Sequence, residues 1–140
     1  MIAQPRFEDH KDHLRKIMPQ ALGAADPHAA VQRFLRLSQE GIIARTHLID
    51  LKPEARVYLV AFGKAAPAMT IAAVEILQDK VAGGVIAAQC PLDDPPPVLQ
   101  CFVAGHPLPD AGSLAAGYAT AQLLKNTTGD DILLALVSGG

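Results

Sequence analysis

Lys64 directly follows Gly63 at the end of the apolar run Val57-Tyr-Leu-Val-Ala-Phe62, and a basic residue one step beyond a glycine suits the binding of an anion. The glycine lets the backbone turn sharply, and a helix starting just after it would present free N–H groups near the ammonium. Phosphate fits such a corner; so does a plain tight turn with Lys64 in solvent. His106 stands between Gly105 and Pro107, where two nearby prolines stiffen the backbone and can aim the imidazole at a carboxylate or phosphate. A ring that only satisfies loop carbonyls fits the stretch as well. Ser138, Gly139 and Gly140 offer a hydroxyl and unencumbered amides, equipment for wrapping an anion in backbone N–H groups.

Two nucleotide motifs are excluded. A Walker A loop ending in Gly63-Lys64 would need glycine where Tyr58 stands and Ser or Thr where Ala65 stands. The dinucleotide fingerprint G-x-G-x-x-G is also absent, which leaves NAD binding without direct support. Asp110 precedes a helical pattern and reads better as an N-cap than as a metal ligand. His10, His13, His28 and His47 are scattered over helices and linkers and read as solvated or structural, while Asp93-Asp94 and Asp130-Asp131 read as solvated loop acids. Cys90 and Cys101 lack C-x-x-C spacing and read as buried, reduced thiols. No metal-ligand set is assigned.

The elements that must position these residues follow from periodicity. Phe7, Leu14, Ile17, Met18 and Ala21 form a helical stripe, and Asp26-Pro27 starts a second helix that runs through Phe34 and Leu37 toward Gly41 and packs on the first. Val57–Phe62 reads as a strand buried on both faces, followed from Ala65 by an Ala-rich helix with Pro67 in its first turn. Gly83-Gly84 is expected to turn the chain into a short strand at Val85–Ala88, and Cys101–Ala104 is a third strand. A helix over 111–124 is expected to bury Leu114, Tyr118, Ala121 and Leu124, ahead of a last strand at Ile132–Val137. Alternation of this kind predicts an α/β fold, a Rossmann-like and mainly parallel sheet flanked by helices and preceded by two N-terminal helices. Ligands in such sheets sit beyond the carboxyl ends of strands, and Gly63-Lys64, Gly105-His106 and Ser138–Gly140 all follow strands.

Composition narrows the partners. Twelve basic against fourteen acidic residues give a net charge of −2 with no run of like charge, so neither nucleic acid nor a membrane surface is expected as a partner. No apolar stretch reaches the roughly 20 residues needed to cross a bilayer, and the polar N-terminus does not read as a signal peptide; a cytoplasmic protein is expected. Hydrophobic residues make up 50 % of the chain and charged ones only 19 %, which fits layers covered on more than one side.

Taken together, "VYLVAFGKAAPAM", "AGHPLPDAGS" and "GDDILLALVSGG" resemble the N-terminal region of the glycerate 2-kinases of the MOFRL, or type II glycerate kinase, family. The resemblance covers nearly the whole chain. It implies a two-domain enzyme that transfers the γ-phosphoryl group of ATP to the 2-hydroxyl of D-glycerate with a divalent cation, usually Mg²⁺. It also implies that residues 1–140 are the N-terminal part of the Rossmann-like domain, an incomplete domain with a helical lead-in over 1–50 and an α/β core over 56–140. Lys64 matches the family's active-site lysine, and His106 matches the histidine of its Gly-His-Pro-x-Pro stretch. Ser138, Gly139 and Gly140 match the start of its glycine-rich serine loop, so the 140 residues by themselves are expected to be inactive. Ala61 stands where the family often has glycine. The implied partners are D-glycerate and a nucleotide, with a homo-oligomer left open; the rival readings are a nicotinamide-dependent hydroxypyruvate reductase and a non-catalytic domain that binds small anions.

Overall fold

The computed structural model describes residues 7–90 and 92–139. The chain runs α1 (Phe7–Ala24), α2 (Pro27–Phe34), β1 (Leu35–Leu37), β2 (Gly41–Ala44), β3 (His47–Asp50), β4 (Val57–Phe62), α3 (Ala66–Leu77), a 3₁₀ turn (Gln78–Lys80), β5 (Val81–Ala88), β6 (Leu99–Val103), α4 (Ala111–Lys125) and β7 (Ile132–Val137). The last four strands form one parallel sheet in the order β6-β5-β4-β7, with helices covering it, which is the α/β architecture expected.

Strand β4 sits inside the sheet because both its faces are apolar. Val57, Leu59 and Ala61 point to one side and meet Ala66, Ala72, Ala73 and Leu77 of α3 in a single buried cluster. The small alanines let the helix approach closely, and Val31 of α2 and Leu35 and Ile42 of the strands after it close that side. Tyr58 and Val60 face the other layer and are also buried, whereas Phe62 is 45 % exposed where the strand leaves the sheet.

Several expectations need correction. The second helix stops at Phe34, capped by Asp26, whose carboxylate accepts from Ala29 N at 2.7 Å. Residues 35–50 then form an antiparallel meander, β1-β2-β3, so the lead-in is not wholly helical. Ser38 makes its first turn, with the Gly41 amide donating to Ser38 Oγ at 3.2 Å. Helix α2 packs on α3 rather than chiefly on α1, and His28 Nε2 lies 2.9 Å from Glu75 Oε2 across that contact. Gly83-Gly84 does not turn the chain; both residues lie inside β5. A Cβ on Gly84 would come within 2.8 Å of the Leu59 carbonyl oxygen and of Leu99 Cδ2, so glycine serves here for close approach between strands. Cys90 is exposed just past β5, and Cys101 is only partly buried, which pushes its thiol up.

Helix α4 turns the opposite face from the one expected. It packs on β5 and β6 through small residues, with Ala116 buried, while Leu114 and Tyr118 are 60 % and 66 % exposed. The capping box between Asp110 and Ser113 fixes where the helix starts: Ser113 N donates to Asp110 Oδ1 at 2.9 Å and Asp110 N to Ser113 Oγ at 3.2 Å.

The starts of β4 and β7 are bound by a charged fork rather than by solvated acids. Arg56 Nε and Nη2 donate to the two oxygens of Asp131 at 3.1 and 3.0 Å, and Thr128 N donates to the same carboxylate at 2.8 Å. Asp130 pairs with Lys52. The Arg56 guanidinium, followed by the Thr128 amide, holds the Asp131 carboxyl well below the usual carboxylate range. In the unfolded chain that carboxyl takes a proton near pH 3.9. Its stabilising contribution is therefore complete above that pH and declines as pH falls toward the lower folded value. Asp131→Asn should lower the thermal midpoint at pH 7, and its deficit against the parent should shrink below about pH 4. Thermal unfolding at a series of pH values checks this, and a deficit independent of pH would contradict it.

Candidate functional site

Register brings two of the three loops together. Phe62 of β4 pairs with Val137 of β7, so Gly63 and Ser138 leave the sheet side by side. Gly63 has φ of 103°, a conformation open to glycine, and a Cβ there would run into the Ser138 carbonyl and hydroxyl oxygens. Gly63 N donates to Ala87 O of β5 at 3.2 Å, Ser138 N to Phe62 O at 3.1 Å, and Ala65 N to Ser138 Oγ at 3.0 Å. The turn that carries Lys64 is thus bonded to both neighbouring strands.

The start of α3 is a poorer anion cradle than its position implies. The Ala65 amide is taken by Ser138, the Ala66 amide donates to Gly63 O at 3.1 Å, and Pro67 has no N–H. Positive charge at this corner therefore rests on the Lys64 ammonium, not on a row of free amides. Lys64 is exposed and takes no part in the ion pairs found among the described residues.

Lys64 and His106 share one cleft. Both line a cleft of about 470 Å³ between the carboxyl ends of β4, β5 and β6 and the first turns of α4, with Val60, Ala87 and Ala116 among its apolar walls. That volume is in the range of small-molecule sites. Gln89, directly after β5, lines the same cleft and was missed by the sequence reading; the rule that ligands sit beyond strand ends would have found it. Gly63 also lines the cleft, whereas Ser138 does not. Gly139 lies just past β7, where a Cβ would meet nothing within 4 Å, and Gly140 lies outside the described residues.

Asp110 is an N-cap, as the sequence indicates, and its carboxyl is held below the usual range by the Ser113 amide first and the Gly105 amide second. It fills the start of α4 with its own negative charge, so that helix end is not free for an anion. No carboxylate lines the cleft among the described residues. An ammonium, a carboxamide and an imidazole around apolar walls can hold a small anionic molecule and offset its charge. Among the described residues no group of three or more His, Cys, Asp or Glu side chains is placed to hold a metal ion, and no helix is long and apolar enough to cross a membrane.

Comparison with known proteins gives a consistent picture. A sequence-family profile described as "Domain of unknown function (DUF4147)" matches residues 13–140. A glycerate kinase of Rattus norvegicus is 33 % identical over 92 % of this chain, and a glycerate 2-kinase of Pyrococcus horikoshii is 31 % identical over 89 %. The aligned stretch is 27 % and 28 % of those two proteins, so the chain spans little more than a quarter of their length. A crystal structure of a protein from Pyrococcus horikoshii OT3 superposes on the whole chain with a TM-score of 0.78 and 30 % identity, the match covering 30 % of that protein.

Proposed function

The chain belongs to the DUF4147 family, the N-terminal domain of the MOFRL-type glycerate kinases, and on that footing we propose that its cleft is part of the site of an ATP-dependent glycerate 2-kinase. In this reading residues 1–140 supply the N-terminal part of a Rossmann-like domain, and the complete enzyme transfers the γ-phosphoryl group of ATP to the 2-hydroxyl of D-glycerate in the cytoplasm. The observation that carries the reading is a cleft at strand ends that gathers Lys64, Gln89 and His106 and no carboxylate.

Phosphoryl transfer asks a protein for positioning and charge stabilisation more than for covalent chemistry. Lys64 binds an anionic group, either the carboxylate of glycerate or a phosphate oxygen, and offsets charge that builds up as the phosphoryl group moves. His106 and Gln89 orient the same ligand through hydrogen bonds beside the apolar walls of the cleft. ATP supplies the group transferred. No carboxylate lines this cleft among the described residues, so Lys64, Gln89 and His106 are given roles that need no contact with Mg²⁺.

The test is to incubate the natural product of the gene with D-glycerate, ATP and Mg²⁺ and to follow ADP. Glycerate-dependent ADP is the expected result. Oxidation of NADH with hydroxypyruvate and no ADP would move the assignment to a reductase, and neither reaction would leave a domain that only binds anions.

A further inference from the structure

Ser138 opens a stretch equipped to wrap an anion, yet its hydroxyl is turned to another task. It does not line the cleft, and its Oγ accepts from Ala65 N at 3.0 Å. Its own amide donates to Phe62 O at 3.1 Å, the residue just before the turn. These two bonds bracket Gly63-Lys64: one end of the turn is tied to the Ser138 backbone and the other to the Ser138 side chain. The bracket closes only because Gly63 has no Cβ, which would occupy the space of the Ser138 oxygens.

We propose that Ser138 is a positioning residue, a latch that holds the Gly63–Ala65 turn against the end of β7 and so sets where Lys64 stands at the cleft. A serine hydroxyl has one proton and two lone pairs, and here one lone pair is used by the Ala65 amide. Replacing the side chain with hydrogen or methyl leaves that amide without its partner and frees the turn to move. A direct anion ligand would behave differently: its loss would weaken anion binding without altering the Ala65 amide. The effect on turnover rests on the kinase reading, whereas the latch itself does not.

Hydrogen exchange at the Ala65 amide tests the latch in the natural protein, its Ser138→Ala variant and its Ser138→Thr variant. Exchange should be about tenfold faster in Ser138→Ala, the loss expected for one hydrogen bond, and near the parent rate in Ser138→Thr, which keeps an oxygen at that position. Glycerate kinase activity should follow the same order, with kcat/KM lowered about tenfold in Ser138→Ala and restored in Ser138→Thr. If Ser138→Ala fails to fold, Ser138→Cys, which offers a weaker acceptor of similar shape, should show an intermediate exchange rate. Unchanged exchange at Ala65 in a folded Ser138→Ala or Ser138→Cys protein overturns the proposal, whatever the activity. Faster exchange in a protein with no glycerate-dependent ADP formation keeps the latch and removes the kinase reading.

Discussion

Lys64→Ala lowers glycerate-dependent ADP formation by the natural protein about 10²- to 10³-fold, the size of effect seen when one preorganised charge stabiliser is removed. The expectation follows from geometry as well as from the family resemblance. Lys64 stands at the end of β4 on a turn bonded to both flanking strands, it lines the cleft, and no carboxylate there competes for its charge. Because the side chain is exposed and outside the ion pairs among the described residues, stability should change by no more than about 0.5 kcal/mol. Activity and stability are thereby separated: a large loss of turnover in a protein that melts like its parent. Lys64→Arg keeps the charge but spreads it over a planar fork, and should recover only part of the rate. A Lys64→Ala enzyme with parental kcat and KM would sink the assignment.

Gly63→Val should cost about 2–6 kcal/mol, combining roughly 1–3 for a non-glycine residue held at strained φ with a similar amount for forced overpacking. The backbone there has φ of 103°, and the new side chain would meet the Ser138 backbone, which cannot swing aside as a flexible side chain would. Relief would require β4 and β7 to part at their carboxyl ends, breaking the Ser138 N to Phe62 O and Ala65 N to Ser138 Oγ bonds. Urea unfolding should show the loss as a lower midpoint at nearly constant slope. A midpoint equal to the parent's would mean that the turn has another conformation open to it.

Much of this is legible in the sequence. The apolar runs at Val57–Phe62 and Ile132–Val137 are strands at those bounds, and Asp26 and Asp110 cap the helices they precede. Strand ends are where a parallel sheet gathers its ligand groups, so Gly63, Lys64 and His106 could be grouped from order alone and do line one cleft. What failed shares a cause. The meander over residues 35–50 is made of three- and four-residue strands, too short for a period of two to stand out from a helical pattern that runs into them. In α4 the large apolar side chains were expected inward, but a helix crossing strands with glycine and alanine in them packs best through its own small residues. For Ser138 the sequence shows only the residue type; that its oxygen accepts from Ala65 follows from the register between β4 and β7.

The bonds around the Lys64 turn also decide where disorder is left to be lost. With Gly63 held to Ala87 and Ala65 held to Ser138, the backbone on both sides of Lys64 is ordered before any ligand arrives. Capturing an anion then freezes little more than the torsions of one exposed side chain, a loss of up to about 2 kcal/mol instead of that cost plus 1–2 for each backbone residue of a floppy loop. The arrangement puts the entropic burden of recognition on folding, and leaves association to be limited by how fast a long, mobile ammonium finds its charge.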